Sequence, residues 1–510
     1  MGVKIRWRRF LVVPCSYGRI MFAATHSVAL VGIEARPVRV EAHVGGGEKG
    51  RLNVVGLPDT AVREAKDRVM AAMAVSKYRF PARSVTVNLS PADLPKSGSA
   101  YDLPMAMAIL AAAGLIPRAA CEVVALGELA LDGTVRPARG GLASAITAAE
   151  LGLPCLLSPE GAAEAGIATS TDIRVVRSLV EAISVALGET SGGTALPTLD
   201  DEPSAPDLAH VRGQPLGRRA LEIAAAGGHH LLMSGPPGSG KTMLARCLPG
   251  LLPPLNESQA LEVAQVWSAA GRQRPSLSHP PIRAPHHTAT GAALIGGGSG
   301  VPVPGELSMA HRGVLFLDEL GEFPPNLLDA LRQPLEEGSG TIGRKGISVK
   351  FPAAVQLVAA TNPCPCGFYG DHRDPCTCTP RMVERYRRRL SGPLMDRFDM
   401  RVRVDRTDPA ALVGPPGEPS EAVRERVADA RRRQQGRPTI NGALSRPELD
   451  DLDMTDGASR LIERALQQGR LTGRGFDRVR RVARTIADLA ARQTVAEPDV
   501  AEALVLRGAA

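Results

Sequence analysis

Apolar and polar positions along the chain follow two different periods, and each period predicts a different kind of element. Ser84 to Leu89 alternates with the two-residue period of a half-buried strand, whereas Asp59 to Ser76 carries apolar residues at helical spacing. Further predicted elements are strands at 38–42, 51–55 and 123–127 and an apolar helix from Leu103. Strands and helices therefore alternate from Met21 to about residue 188, which predicts one α+β unit.

A second group of strands is apolar at nearly every position, as expected for strands buried on both faces of a parallel sheet. The group consists of residues 230–234, 313–317 and 355–362. A helix-like run, Met243 to Leu248, follows the first of these strands. The pattern predicts an α/β core over residues 208–404. From about Asp405 the chain is rich in Arg and Glu with helical periodicity, and its clearest helix begins at Arg474.

The segments outside these units differ in composition. Residues 189–207 are rich in Pro, Gly, Ser and acidic residues without periodicity, which predicts a linker. Residues 1–20 are basic with only a short apolar stretch, so we expect a disordered extension rather than a secretory signal. The predicted domains are thus 21–188, 208–404 and a helical region, the lid, at 405–510.

The composition fits a multidomain globular protein. At roughly 150 residues per domain, the 510 residues suggest two to four domains. The hydrophobic content is 44%, yet no apolar run is long enough to cross a membrane, so we expect no membrane partner. Of the eight cysteines, four stand alone and four cluster, which fits a reducing cytoplasm with one metal site better than a disulfide scaffold. The net charge of +8 mildly favours a nucleic-acid partner.

The most specific motif is GPPGSGKT, which matches the phosphate-binding P-loop pattern G-x-x-x-x-G-K-[ST]. It lies between a predicted strand and a predicted helix, the context that the motif requires. Loop N–H groups would surround the β-phosphate of ATP, Lys241 would reach the β- and γ-phosphates, and the Thr242 hydroxyl would bind Mg²⁺. The predicted nucleotide-binding residues are Gly235, Pro236, Pro237, Gly238, Ser239, Gly240, Lys241 and Thr242.

Polar residues end the other two buried strands. Asp318 and Glu319 follow the second, and metal-assisted hydrolysis needs such a pair, with Asp318 on Mg²⁺ and Glu319 polarising the attacking water. The third ends at Asn362, which would lie between the other strand ends and help hold this water, the role called sensor 1 in AAA+ ATPases. The alternatives are a site that binds ATP without hydrolysing it, and Asn362 as a plain strand-end cap.

Two regions offer arginines for the γ-phosphate. Arg397, in the run LMDRFD, would complete the site of a neighbouring subunit if it lies at a subunit edge, and would stabilise charge on the phosphoryl oxygens. The active form would then be a ring or another head-to-tail oligomer. The alternative is an ordinary surface ion pair. Arg474 is the predicted lid arginine that contacts nucleotide (sensor 2), with Arg478, one turn later, as the other candidate.

Two glycine-rich basic stretches, 283–300 and 338–350, interrupt the core and predict inserted hairpins. The second contains Arg344, Lys345 and Lys350. Basic loops on one face of a ring would line its pore and bind phosphates without reading sequence. The alternative is two solvated hairpins. His286 and His287, in the first stretch, are metal-ligand candidates, although such a pair more often packs or hydrogen-bonds locally.

Four cysteines form the pattern C-x-C-x₉-C-x-C, namely Cys364, Cys366, Cys376 and Cys378. Two close pairs of thiolates joined by a short Gly/Asp/Pro loop suit a tetrahedral structural Zn²⁺ site, although the usual spacing is C-x₂-C. His372 is the candidate substitute ligand. Reduced free thiols or a redox pair are the alternatives.

Together these residues resemble the magnesium-chelatase-like branch of AAA+ ATPases, and in particular the YifB/ComM competence-protein family. The most specific stretches are VVGLPDTAVREAKDRV, RAPHHTATGAALIGGG, PGELSMAHRGVLFLDEL, the NPCPCG cluster and LSGPLMDRFD. The resemblance runs from about Met21 to near the C-terminus. It implies a ring-shaped, hexameric ATPase that moves on single-stranded or branched DNA and promotes branch migration in homologous recombination, as in the uptake of transforming DNA.

The same resemblance implies that the N-terminal unit has the fold of Lon protease and ribosomal protein S5. A Lon-type peptidase carries a nucleophilic Ser in a loop similar to PKSGSAYD, but Ala100 stands at that position, with Ser99 next to it. Leu142 stands where the partner Lys is expected. Without a nucleophile and its amine base, covalent peptide hydrolysis is not expected.

Two other functions compete with a DNA motor. A magnesium-chelatase motor subunit would act with separate porphyrin-binding partners, and this chain adds an N-terminal unit and a cysteine cluster. A protein-remodelling ATPase would be expected to expose an aromatic residue in its pore, and neither insert contains one.

Overall fold

The computed structural model describes residues 21–45, 50–96, 98–168, 171–193, 205–274, 276, 278–298, 302–344, 347–371, 373–390 and 392–508. The predicted extension at 1–20 and most of the predicted linker, 194–204, lie outside the described residues. The described residues form two compact units, one of residues 21–193 without 31–33 and one of residues 31–33 with 205–508. The predicted boundaries at 188, 207 and 404 stay predictions.

The N-terminal unit is built on a mixed seven-stranded sheet of order β3-β4-β2-β1-β5-β8-β9. The strands of the unit are β1 Phe22–Val31, β2 Glu34–Val44, β3 Leu52–Val55, β4 Val85–Ser90, β5 Val124–Ala125, β6 Glu128–Leu129, β7 Val135–Arg136, β8 Cys155–Leu157 and β9 Ile173–Val175. Of these, β6 and β7 form a separate antiparallel pair. The helices of the unit are α1 Thr60–Val75, α2 Asp102–Ala112, α3 Gly141–Leu151, α4 Pro159–Ala165 and α5 Leu179–Ala186. The alternation of strands and helices predicted from periodicity is confirmed.

Local sequence explains two of these helices. Asp59 caps α1, since its side chain accepts a hydrogen bond from the Val62 N–H, and the helix buries a stripe that includes Val62 and Val69. All the residues of α2 are buried. An apolar helix without a polar face is stable only inside a core. The longest apolar run of the sequence is therefore the central helix of this unit.

The second unit contains a five-stranded sheet of order β11-β14-β17-β10-β18, in which every pairing is parallel. Its strands and those of two small antiparallel pairs are β10 Leu231–Ser234, β11 Ile282–Arg283, β12 Gly296–Gly297, β13 Val303–Pro304, β14 Val314–Leu317, β15 Ser339–Arg344, β16 Ile347–Pro352, β17 Gln356–Thr361 and β18 Met400–Arg403. The predicted α/β fold with a parallel sheet is confirmed.

Helices surround this sheet and form the C-terminal region. They are α6 Pro215–Gly227, α7 Lys241–Cys247, α8 Glu257–Ala269, α9 Gly291–Ile295, α10 Glu306–Met309, α11 Pro325–Ala330, α12 Arg332–Glu337, α13 Pro380–Arg389, α14 Gly392–Met395, α15 Pro409–Val413, α16 Ser420–Gln434, α17 Arg446–Asp450, α18 Asp456–Gln467, α19 Gly473–Leu489 and α20 Glu497–Arg507. The helices predicted after Asp405 are confirmed.

The parallel strands are apolar on both faces because two cores enclose them. Leu231, Phe316 and Val358 point into a core shared with α6, α16 and α19. Leu232 and Leu357 point into the opposite core, which contains Leu320 and Phe323. Both faces of the sheet are filled, so side chains can contact ligands only where the strands begin or where they end.

A buried ionic network joins α19 to the segment that directly follows α16. The Asp488 side chain is 1% exposed and accepts hydrogen bonds from Arg437 at 2.6 and 2.9 Å, from Arg484 at 2.9 Å and from the Asn441 amide at 2.7 Å. Charged groups buried in this way are tolerated only when they are paired. Asp488 is therefore the anion that allows two arginines to enter this core.

We expect Asp488→Ala to lower the free energy of unfolding of this unit by about 3–5 kcal/mol, because it leaves Arg437 and Arg484 without their buried partner. The exposed Asp451 offers a matched control, and Asp451→Ala should change it by less than about 0.5 kcal/mol. Urea unfolding followed by circular dichroism measures both. Equal unfolding midpoints for the two variants would contradict the role given to Asp488.

Candidate nucleotide-binding site

The register of the parallel sheet brings the three polar strand ends to one edge. Ser234 of β10 is opposite Thr361 of β17, and Leu317 of β14 is opposite Ala359. Because parallel strands end at the same edge, the P-loop, the Asp318–Glu319 pair and Asn362 leave the sheet side by side. We call this the carboxyl edge.

The P-loop, residues 235–242, holds the Lys241 side chain inside the loop. Gly238 and Gly240 have φ angles of 74° and 91°, which a side chain would disfavour. The Lys241 Nζ donates to the Gly235 and Pro236 carbonyls, both at 2.8 Å, and lies 3.4 Å from the Asn362 Oδ1. Burial lowers the pKa of Lys241 to about 8, and the nearby Asp318 carboxylate only partly opposes this shift.

Two oxygen ligands suited to Mg²⁺ lie together at this edge. The Thr242 hydroxyl donates to the Asp318 Oδ2 at 2.8 Å, and the other Asp318 oxygen accepts from the Glu319 N–H at 3.0 Å. A hydroxyl and a carboxylate are hard ligands of the kind that Mg²⁺ uses beside nucleotide phosphates. The residues present therefore fit the predicted metal.

Glu319 is placed differently from its neighbour. Its side chain is 56% exposed, and its backbone is left-handed with a φ of 52°. The His287 Nδ1 lies 3.3 Å from the Glu319 Oε2, and the His287 ring packs edge-on against Phe323. The predicted general base thus projects from the carboxyl edge and is contacted by one imidazole.

The arginines expected at the γ-phosphate lie at the opposite edge of the same sheet, which we call the amino edge. Leu231 pairs with Met400 at the start of β10 and β18, so Arg397, three residues earlier, precedes both strands at this edge. A cavity of about 900 Å³ opens here and is lined by Arg397, Arg474, Arg478 and Arg481 among others. None of the eight P-loop residues lines it.

Arg397 is buried rather than projecting. Its side chain is 7% exposed and forms an ion pair with Glu336. The pKa of Arg397 lies below its ordinary value because burial, together with the charges of Arg332, Arg474 and Arg478, disfavours the cation more than Glu336 favours it. The ion pair of the alternative is present, although only Glu336 is exposed and Arg397 itself is buried. It is a desolvated cation facing a cavity with a surplus of positive charge.

The two lid candidates have different surroundings. Arg478 is 14% exposed and donates to the Asp399 carboxylate at 2.5 Å and to the Arg397 carbonyl at 2.7 Å. Arg474 is 63% exposed and lies 3.6 Å from Asp396. Within one chain, neither is brought to the P-loop. Both line the cavity at the amino edge instead.

The four clustered cysteines converge. All four Sγ atoms lie within 4.8 Å of one another, and the Sγ atoms of Cys364, Cys366 and Cys376 are separated by 3.3, 3.5 and 3.7 Å. These distances are too long for a disulfide. Tetrahedral zinc with bonds of about 2.3 Å separates its sulfurs by about 3.8 Å, so the cluster fits Zn²⁺ with slight expansion. His372, the candidate substitute ligand, lies outside the described residues.

The predicted inserts are only partly hairpins. Residues 338–350 contribute to the antiparallel pair β15 and β16, as predicted, and Lys350 is exposed on it. Lys345 lies outside the described residues. The first stretch, 283–300, begins at the end of β11 and contains the short helix α9 and β12, which pairs with β13 beyond it. His286 hydrogen-bonds locally to Thr288 at 2.9 Å.

Comparison with known proteins agrees with this geometry. Residues 207–412 match the family described as magnesium chelatase, subunit ChlI. Residues 40–162 match the family described as subunit ChlI of Mg-chelatase, and residues 417–507 match the family described as magnesium chelatase, subunit ChlI C-terminal. YifB of Escherichia coli is 41% identical over 94% of this chain and 96% of its own, and the competence protein ComM of Haemophilus influenzae is 40% identical over 95% and 97%. The chain belongs to the magnesium-chelatase-like YifB/ComM family. An uncharacterized protein of Mycobacterium tuberculosis is 44% identical over 94% of this chain and 97% of its own.

Membership in the YifB/ComM family, a group of AAA+ proteins, supports ATP and Mg²⁺ as the ligands of the carboxyl edge. The match covers both units, so the resemblance inferred from motifs is confirmed along the chain. No helix in the described ranges combines the length and apolar character needed to cross a membrane.

Sequence reasoning missed how His287 and Tyr386 meet the carboxyl edge. Tyr386 of α13 packs against Gly321, where a Cβ atom would lie 2.3 Å from the tyrosine oxygen. His287 is brought there by β11, which ends shortly before it and pairs with β14, whose end carries Glu319, and the sequence analysis had not predicted this strand. For Tyr386 the sequence offered no signal.

The lowered pKa of Lys241 predicts a pH dependence of nucleotide binding. Above about pH 8 the free protein loses the ammonium that phosphates require, so binding must take up a proton and the affinity should fall by up to tenfold per pH unit. Below that pH the affinity should not depend on pH. Titration of a fluorescent non-hydrolysable ATP analogue between pH 7 and 10 measures this. Lys241→Arg, whose guanidinium stays charged, should remove the dependence, and an equal slope in both proteins would rule out Lys241 as its source.

Proposed function

We propose that this protein is an ATP-hydrolysing motor that acts on DNA as a hexameric ring and promotes branch migration in homologous recombination or natural transformation. The observation that carries the proposal is the separation of the two halves of a hydrolytic site. The P-loop, Asp318, Glu319 and Asn362 occupy the carboxyl edge, and Arg397 and Arg474 occupy the amino edge of the same sheet. A head-to-tail arrangement of copies would join the two edges.

At the carboxyl edge each side chain has one task. Lys241 and the loop backbone bind the phosphates, Thr242 and Asp318 hold Mg²⁺, and Glu319 takes a proton from the attacking water while Asn362 orients it. The 3.4 Å contact between Lys241 and Asn362 supports this assignment, because a residue that orients the water must lie beside the γ-phosphate. The bound metal would neutralise charge that develops on the phosphate oxygens.

At the amino edge Arg397 would meet the γ-phosphate of the neighbour. A buried cation with a lowered pKa gains most from an incoming anion, because the anion supplies the charge that its surroundings lack. Arg478 helps to fix Arg397 in place because its guanidinium donates a hydrogen bond to the Arg397 backbone carbonyl. The exposed Arg474 is the better candidate for direct contact with the nucleotide, as a lid residue acting between copies.

DNA as the substrate rests on the relatives and on charge. One relative that shares 40% identity over 95% of this chain is named for competence. The chain carries a net charge of +8, and the hairpin β15–β16 presents the exposed Lys350. Charged hairpins of this kind bind phosphate backbones without sequence preference. A cytoplasmic location follows from this substrate.

The magnesium-chelatase motor is the second candidate function. The 67 kDa subunit of magnesium chelatase from Heliobacterium mobile is 28% identical over 33% of this chain, far less than YifB or ComM. A protein-remodelling ATPase has no feature of the described residues in its favour. The DNA motor is therefore the better-supported function.

The N-terminal unit would be a Lon-like scaffold without peptidase activity. Ala100 and Leu142 replace the nucleophile and its amine base. The Ser99 hydroxyl donates to Glu128, and the buried Lys96 donates to the Pro91 carbonyl. Ser99 and Lys96 therefore do not pair with each other. The serine next to Ala100 has a carboxylate as its partner and not an amine.

A structural Zn²⁺ ion on Cys364, Cys366, Cys376 and Cys378 completes the proposal. The convergence of the four thiols supports it, as do the N–H groups of Cys366 and Tyr369, which donate to the Cys378 and Cys364 sulfurs at 3.4 and 3.3 Å. Such donors stabilise thiolates that bind metal.

We expect ATP hydrolysis to rise with single-stranded or branched DNA, and the protein to migrate a synthetic four-way junction with ATP and Mg²⁺. Glu319→Gln should bind ATP with near-normal affinity but hydrolyse it at least a hundredfold more slowly and leave the junction unmoved, because the water loses its base. Gel analysis of the junction beside phosphate release measures both. Hydrolysis that ignores every form of DNA would contradict the DNA motor, and normal turnover by Glu319→Gln would remove the catalytic assignment.

A further inference from the structure

The segment that carries the four cysteines is irregular yet lies against the carboxyl edge. We call residues 363–379 the cysteine loop, and its described residues contain neither helix nor strand. It begins directly after Asn362 and ends where α13 begins. An irregular segment has no backbone ladder of its own to fix its position, so its contacts must do so.

The cysteine loop rests on the P-loop through one glycine. Gly367 has a φ of 87°, and a Cβ atom built on it would lie 2.5 Å from the Pro237 Cδ and 2.7 Å from its Cγ. Only a residue without a side chain allows so close an approach. The backbone of the cysteine loop therefore packs directly on a nucleotide-binding residue.

Two arginines hold the far side of the loop, namely Arg403, the last residue of β18, and Arg406, three residues later. Arg403 donates to the Gly370 carbonyl. The Arg406 guanidinium lies 2.6 Å from Asp374 and stacks 5.2 Å from the centre of the Phe368 ring. The loop is thus fixed to the sheet at the ends of both strands that flank β10.

The helix that follows the loop also packs near the catalytic carboxylates. Tyr386 of α13 packs against Gly321, two residues after Glu319. The loop is therefore next to Asn362 and Pro237, and it leads into a helix that contacts the segment after Glu319. The only group of side chains in its described residues that is able to cross-link it internally is the four thiols.

We propose that a Zn²⁺ ion on these four cysteines holds the cysteine loop, anchored on Pro237, in the shape that positions Asn362 for ATP hydrolysis, so that metal occupancy sets kcat and leaves nucleotide affinity nearly unchanged. The metal supplies only a cross-link, joining the start of the loop to its end and removing the conformational freedom of the residues between them. Affinity is spared because Lys241, Thr242 and the glycines of the P-loop are held by β10 and α7. The inference rests on the proposed ATPase function.

The test compares zinc-loaded protein with protein stripped by a chelator. Zinc content is measured by inductively coupled plasma mass spectrometry, kcat by phosphate release, and affinity with a fluorescent non-hydrolysable ATP analogue. We expect one zinc per chain, a fall in kcat of about tenfold to a hundredfold on removal, and a Kd changed by less than about threefold. Added Zn²⁺ should restore kcat, and hydrogen exchange in peptides covering 356–390 should rise without the metal and fall when it returns.

Two sets of variants separate metal binding from its consequence. Gly367→Ala keeps all four thiols and should retain zinc but lose kcat, because its methyl group pushes the loop away from Pro237. Gly469→Ala is the matched control, since Gly469 has a similar φ of 69° and no neighbour within 4 Å. The pair Cys376→Ser and Cys378→Ser should lose zinc and kcat together, whereas Cys121→Ser, a buried thiol of the other unit, should change neither.

The outcomes that overturn the inference are distinct from those that overturn the proposed function. Absence of zinc from protein made in zinc-supplemented medium removes the site. An unchanged kcat and exchange pattern after zinc removal, or normal kcat in Gly367→Ala, removes the coupling. If zinc-loaded protein hydrolyses no ATP under any condition, the proposed function fails instead, and hydrogen exchange around Asn362 alone decides whether the metal positions it.

Discussion

The parallel register of β10, β14, β17 and β18 is the constraint on which the remaining structure depends. It buries both faces of the sheet under apolar cores, so chemistry is confined to the strand ends. It also fixes which residues meet, since strands that run the same way end together. The P-loop, the Asp318–Glu319 pair and Asn362 are far apart in sequence and come together only because of it.

The same register places the arginines at the edge opposite the P-loop of their own chain. The amino edge holds Arg397 in a cavity where Asp399 fixes Arg478, and the C-terminal helices close around this edge. A sheet with a phosphate-binding edge and a cationic edge is suited to head-to-tail assembly, in which each copy completes the site of the next. Each hydrolysis event would then change contacts in two neighbouring copies at once, as a ring motor requires.

Sequence was sufficient where the signal is local, and insufficient where the fold brings distant segments together. The P-loop, the carboxylates after an apolar strand and the helix at Arg474 were predicted because each depends on neighbouring residues. The position of Arg474 at the amino edge was not, because helical periodicity does not say which end of a sheet a helix meets. The contact of Gly367 with Pro237 was likewise missed, since one glycine in an irregular loop gives no sign of its neighbour.

Mixing two inactive variants tests the shared site most directly. Lys241→Ala lacks a working P-loop but keeps Arg397, whereas Arg397→Ala keeps its P-loop and lacks the arginine. If sites form between copies, equal mixing should restore ATP hydrolysis that neither variant shows alone, because some neighbours pair an intact P-loop with an intact arginine. Activity of Arg397→Ala alone at the wild-type rate, or no recovery in mixtures shown by native mass spectrometry to contain both chains, would contradict the account.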